Sequence, residues 1–309
     1  MNAPIKLGVY GLGLAVIFSA AVGVGNAVGA VGPAPVNTGH GAHATSSPAR
    51  QSTEPVPGGL QVSQDGYTLT PETTTLTPGE RTAFRFTVTG PDGRPVTRYQ
   101  IAHGKKLHFI VVNRDLGDFR HLHPAETGGG VWSVPLSLPE AGTYRAFADF
   151  TPEGREGLTL GTDLYAAGDF TPQALPAPAR TATVDGYTVE LDGDLTPGTA
   201  GRLTLRVSRD GTPVTDLEPY LGAYGHLVAL RAGDLAYLHV HPDGAPGDGR
   251  TPSGPTITFH AEAPSRGDYR LFLDFQHEGT VHTAAFTLRA EQSPTNGTPV
   301  EPDHGHSGH

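Results

Sequence analysis

His108, His121 and His123 form a His–(12)–His-x-His-Pro pattern that closes on Pro124. His226, His239 and His241 repeat the spacing and close on Pro242. Imidazole is the commonest side-chain ligand for metals. The repeat therefore points to a pair of metal sites. The chain has no cysteine, and its one methionine is Met1. Neither thiolate nor thioether ligands are available, which excludes a blue-copper electron-transfer site and a thioether Cu(I) site. Imidazole and carboxylate alone suit a divalent ion. Cu(II) is expected from the intrinsic order of affinities, with Zn(II) and Ni(II) as alternatives.

Strands must position these side chains. His108-Phe-Ile-Val-Val112 reads as a strand, Arg114–Gly117 as a loop and Asp118–Pro124 as the return strand. Side chains alternate faces along a strand. The register then sets His123 opposite His108, with His121 two residues along on the same face. The second copy predicts His226 opposite His241, with His239 alongside. Opposed Cβ atoms lie ~4.5–5.5 Å apart and diagonal ones ~7–8 Å, within reach of one ion.

Two similar units carry the hairpins. Each opens on Asp-Gly-Tyr-Thr (65–68, 185–188) and continues through Leu-Thr-Pro-Gly (76–79, 195–198). Each closes on a strand-like run, Gly-Thr-Tyr-Arg-Ala-Phe-Ala-Asp-Phe (142–150) or Gly-Asp-Tyr-Arg-Leu-Phe-Leu-Asp-Phe (267–275). Short strands at regular spacing, with 42 Gly and 28 Pro, predict an all-β chain. The expected fold is two tandem immunoglobulin-like β-sandwich domains, at 59–170 and 180–290, without the disulfide of antibody domains. A Pro-rich linker spans 171–179. Residues 33–58 read as a disordered spacer, and 291–309 as a disordered tail with His304, His306 and His309.

Leu7–Gly32 is uncharged and apolar. It exceeds the usual ~7–15-residue core of a signal peptide and suffices for a membrane-spanning helix. Residues 1–32 are expected to be an anchor or a cleaved signal, sending the chain out of the cytoplasm. The net charge of −10 and the lack of a basic patch argue against nucleic acid as a partner.

Asp149 and Asp274 occupy matched positions and are candidates to ligate an ion or to orient a ligand imidazole. His277 and His282 belong to the second unit only. They could enlarge its site, with a surface-loop role the default. His103 and His260 have no counterpart and read as structural. Trp132, Tyr144, Phe147, Tyr269 and Phe272 read as core.

The stretch Lys106–Pro124 and its second copy, Gly222–Pro242, resemble a motif of extracytoplasmic bacterial, actinobacterial-type β-sandwich proteins associated with copper and heavy-metal handling. The resemblance implies an immunoglobulin-like fold, an envelope location and, weakly, copper. The expected function is metal binding at the cell envelope for sequestration, delivery or resistance. An envelope metal transporter is a candidate partner. The alternatives are a structural or adhesive module whose histidine face packs on a partner or on the other domain, and a zinc-type hydrolytic enzyme. The sequence shows no general base, so no enzyme activity is expected. His277 and His282 make the second site the expected tighter one.

Overall fold

The computed structural model describes residues 56–291, and His239 by its backbone only. The expected anchor at 7–32, most of the spacer and the histidines of the tail lie outside the described residues. All regular structure among the described residues is strand. No helix among them is long and apolar enough to cross a membrane.

The first sandwich is built from Ser63–Gln64 (β1), Tyr67–Pro71 (β2), Thr75–Leu76 (β3), Thr82–Thr89 (β4), Leu107–Asn113 (β5), Arg120–Leu122 (β6), Ala125–Glu126 (β7), Val131–Leu136 (β8), Gly142–Phe150 (β9) and Leu158–Ala166 (β10). One sheet has the order β1-β2-β4-β8-β7 and the other β3-β10-β9-β5-β6. The second sandwich uses Thr181–Val184 (β11), Tyr187–Asp192 (β12), Ala200–Arg209 (β13), Thr212–Pro213 (β14), His226–Arg231 (β15), His239–Pro242 (β16), Thr256–Glu262 (β17), Gly267–His277 (β18) and Thr280–Ala290 (β19). Its sheets run β11-β12-β13-β17-β16, with β14 beside β13, and β15-β18-β19. Two facing sheets with crossed connections make each unit an immunoglobulin-like sandwich.

Each sandwich also has a tyrosine corner, which the sequence reading did not anticipate. The Tyr144 hydroxyl donates to the Glu140 carbonyl at 3.0 Å, and the Tyr269 hydroxyl to the Ser265 carbonyl at 2.8 Å. Such a bond ties the start of a strand to the corner before it. Tyr144→Phe and Tyr269→Phe should each cost about 1 kcal/mol. Urea denaturation checks this; an unchanged midpoint in both variants would remove the corners from the account of stability.

The face of β5 that carries the first histidine has a second function. Leu107, Phe109 and Val111 enter their own sandwich core. Ile110 and Val112 face the other way, into a separate apolar cluster with Phe147, Val228, Leu230 and Phe272. The outer faces of β5 and β9 thus pack on those of β15 and β18. This explains why the run Leu107–Val112 does not alternate between apolar and polar: both of its faces are buried. It also revises two expected core positions. Tyr144 and Tyr269 point into their own cores, but Phe147 and Phe272, three residues on, point into the seam between the sandwiches.

The seam is reciprocal. Phe119 stacks on Phe272 with centroids 4.1 Å apart, and its counterpart Tyr237 meets Phe147 at 5.6 Å. A contact repeated with its partners exchanged is the mark of two-fold packing. The last residues of the expected spacer also join the fold. Gly58 bridges Tyr237 of the second sandwich, and the Gly59 N–H donates to the Thr159 carbonyl of the first.

Candidate metal centre at the seam

Two matched turns frame the site. Ala102 and Lys105 exchange both backbone hydrogen bonds around His103-Gly104, as do Tyr220 and Ala223 around Leu221-Gly222. The central φ angles are 50° and 71° in the first turn and 50° and 76° in the second. Positive φ at both central positions is the type I′ pattern, which glycine accommodates. A Cβ on Gly104 would come to 3.9 Å from Leu221, and one on Gly222 to 4.0 Å from His103, so the turns sit against each other. Each turn presents a carbonyl to the first histidine of its hairpin. His108 Nε2 lies 3.1 Å from the Ala102 oxygen, and His226 Nε2 lies 2.8 Å from the Tyr220 oxygen.

In the first hairpin Phe109 pairs with Leu122 and Ile110 with His121. That register sets His123 opposite His108 and puts His121 on the same face. The structure gathers all three: one nitrogen from each of His108, His121 and His123 lies within 4.8 Å of the others. Their ring centroids stand 5.2, 5.2 and 4.8 Å apart.

The protons in this group follow from simple rules. A carbonyl oxygen only accepts, so His108 donates from Nε2 to Ala102. Burial pushes the His108 pKa down to about 3, and the neighbouring charge of His121 adds to that effect. A neutral His108 then has a lone pair at Nδ1, facing His121 Nε2 at 3.0 Å. On its other side His121 Nδ1 meets the Asp274 carboxylate at 2.9 Å. A carboxylate accepts, so His121 donates from Nδ1 to Asp274. This pair crosses the seam, and both side chains are almost fully buried. Asp274 also accepts from the Thr283 hydroxyl at 2.6 Å. His123 is the exception: its buried Nε2 has no hydrogen-bond partner. Burial, first, and then the charge of His121 hold the His123 pKa down to about 3. Burial holds that of His226 down to about 4, with the Tyr220 carbonyl opposing the shift.

A cavity of about 350 Å³ adjoins the group, lined in part by His103, His108, His121, Asp149, His226 and His241. His103, read from the sequence as structural, meets His226 edge-on, with centroids 5.4 Å apart. The signal that could have located it is its place before Gly104 in a turn five residues ahead of His108. Asp149 pairs across the strands with His108, as Asp274 does with His226, and accepts from Thr159 at 2.8 Å.

The second hairpin starts in its expected register, with the Leu238 N–H donating to the Ala229 carbonyl. Leu230 bridges Tyr237 as predicted, but the chain then crosses to the other sheet. There β16 pairs with β17 over four positions, setting His239 opposite Glu262 and His241 opposite His260. In the first sandwich the equivalent crossing comes later, and β7 pairs with β8 over only two positions. His241 lines the same cavity as His226. The His239 side chain lies outside the described residues.

His277 and His282 are buried on strands rather than placed on a surface loop. His277 meets the Tyr187 hydroxyl at 2.8 Å and Asp216 at 3.1 Å, and His282 meets Asp185 at 2.8 Å. They belong to a network around Tyr187 rather than to the histidine site. His260 is exposed, 3.8 Å from Asp243.

The model of the domain of unknown function DUF8832 matches residues 61–160 and again 182–292. The chain belongs to the DUF8832 family. Both DUF8832 segments include a histidine hairpin, so the seam lies between two copies of the family's domain. No curated protein matches the sequence. Similar solved structures include the Escherichia coli adhesin FdeC, at 14% identity over 74% of this chain and 65% of that one, with a TM-score of 0.24. The integrin-binding protein invasin matches at 14% identity over 74% of this chain and 40% of its own, with a TM-score of 0.23. The D0–D1 domain of intimin matches at 13% identity over 71% and 96%, with a TM-score of 0.21. This chain spans less than two thirds of FdeC and of invasin. The likeness is one of β-sandwich fold alone.

Proposed function

We propose that this DUF8832 protein is an extracytoplasmic, envelope-associated module that binds a divalent transition metal at the seam between its sandwiches. His108, His121 and His123 are the ligands. The observation that carries this reading is the buried, unpartnered His123 Nε2 beside two other converging imidazole nitrogens. Buried polar atoms are almost always paired, and an ion would satisfy this one. Ring spacing fits as well. With metal–nitrogen bonds of ~2.0–2.1 Å, tetrahedral imidazole centroids stand about 5 Å apart.

The ion would lie between His108 Nδ1 and His121 Nε2. The bond from His121 to Asp274 would stay, as the carboxylate that orients a ligand imidazole. Cu(II) is the expected ion and Zn(II) the alternative. Sequestration or delivery, with an envelope transporter as partner, is the function such a site would serve.

The test is calorimetric titration of the full chain carrying His304→Ala, His306→Ala and His309→Ala, in buffers of different ionisation enthalpy. One tight site is expected, and His121→Ala should abolish it. Asp274→Asn should weaken it about 10–100-fold. No binding tighter than ~100 μM would sink the metal reading. It would favour instead a structural or adhesive module, in which the His121–Asp274 pair and the apolar seam only lock the two sandwiches together.

A further inference from the structure

The triad on the first sandwich leaves one tetrahedral position to fill, and the second sandwich places an imidazole next to it. The His226 ring centroid is 5.8 Å from that of His121 and 6.2 Å from that of His108. Within the triad the spacing is 4.8–5.2 Å, so His226 stands roughly one ångström further out. Its Nε2 is committed to the Tyr220 carbonyl, as that of His108 is to Ala102. That leaves Nδ1 as the ligating atom in both. His226 is itself buried, at 8% exposure, and Asp274, which receives His121, is its cross-strand neighbour.

We propose that His226 is the fourth ligand, so that a single ion is held by three imidazoles of one sandwich and one of the other. The inference rests on the metal reading above. It makes the ion a staple between the domains, closed to exogenous ligands, with one ion per chain rather than one per histidine hairpin. A closed four-ligand site is of the structural type, whereas a catalytic one keeps a position open.

Co(II) is the probe, added to the full chain with the tail histidines replaced. The parent should bind one ion with an intense tetrahedral visible band that azide leaves unchanged. His226→Ala should lose about tenfold or more in affinity, show a weaker band and become azide-sensitive. His226→Gln, which keeps most of the volume, should behave the same way. Metal-free melts of both variants show whether each is folded. A parent band that shifts with azide overturns the inference, as does a His226 variant with the parent's spectrum and affinity. His103→Ala serves as the control, because the exposed His103 ring is a further imidazole beside His226. If that change alone opens the site, the fourth ligand is His103 and the inference fails. Failure of the metal reading looks different: either the parent takes up no Co(II), or its Co(II) survives His121→Ala.

Discussion

Lowering the pH from 7 to 5 should cost the metal-free chain roughly 6 kcal/mol of folding stability. His108, His123 and His226 are held neutral by burial, with pKa values of about 3, 3 and 4. In the unfolded chain each returns to about 6.5. Above pH 6.5 neither state binds these protons, and they contribute nothing to the pH dependence. Below it the unfolded state takes them up and the folded state does not, so stability falls as pH falls. The window runs from about 6.5 down to the folded values. At pH 5 each histidine costs about 2 kcal/mol, or roughly 6 kcal/mol for the three. Native domains are stable by only about 5–15 kcal/mol. The single tryptophan, Trp132, lies in the first core and reports unfolding. Urea midpoints at pH 7, 6 and 5 in the presence of a chelator make the measurement. Equal midpoints at pH 7 and 5 would show that these imidazoles are not held neutral.

Phe272→Ala should cost about 3–5 kcal/mol, the usual loss for a buried phenylalanine. Phe272 lies almost parallel to Phe119, at 7°, and is 3% exposed. It enters neither sandwich's own core. Its loss should therefore open the seam before either sandwich unfolds. Protease cleavage within the largely exposed linker 171–179 should speed up at denaturant concentrations where Trp132 fluorescence is still native. Phe147→Ala, at the other end of the reciprocal contact, should do the same. A loss under 1 kcal/mol with unchanged cleavage would mean that the seam contributes little to holding the sandwiches together.

The sequence made the all-β fold and the first hairpin legible, because alternation and turn residues act over a few positions. His108, His121 and His123 came together as their spacing predicts. What escaped was everything set by a second surface. The outer faces of β5 and β9 can be assigned only once something packs on them, so Phe147 passed for a core residue. Asp274 was legible as a matched carboxylate, but not as the acceptor for an imidazole 153 residues away. The second hairpin has the spacing of the first, yet its return strand joins β17. Histidine spacing does not record which sheet edge the return strand joins. His277 and His282 belong to the second unit, but on β18 and β19 they turn toward Tyr187.

The reciprocal turns at His103-Gly104 and Leu221-Gly222 make the molecule equivalent to a homodimer joined by a linker. In a true homodimer every substitution appears on both sides of the axis, so a ligand gained once is gained twice. A single chain is free of that constraint. His103 faces Leu221's turn with no histidine returned, and the two return strands have taken different sheet edges. Covalent joining thus allows a symmetric scaffold to carry an asymmetric centre, with converging imidazoles on one half and the carboxylate that meets one of them on the other. It also fixes the stoichiometry at any dilution, because the two halves of the site cannot dissociate from one another.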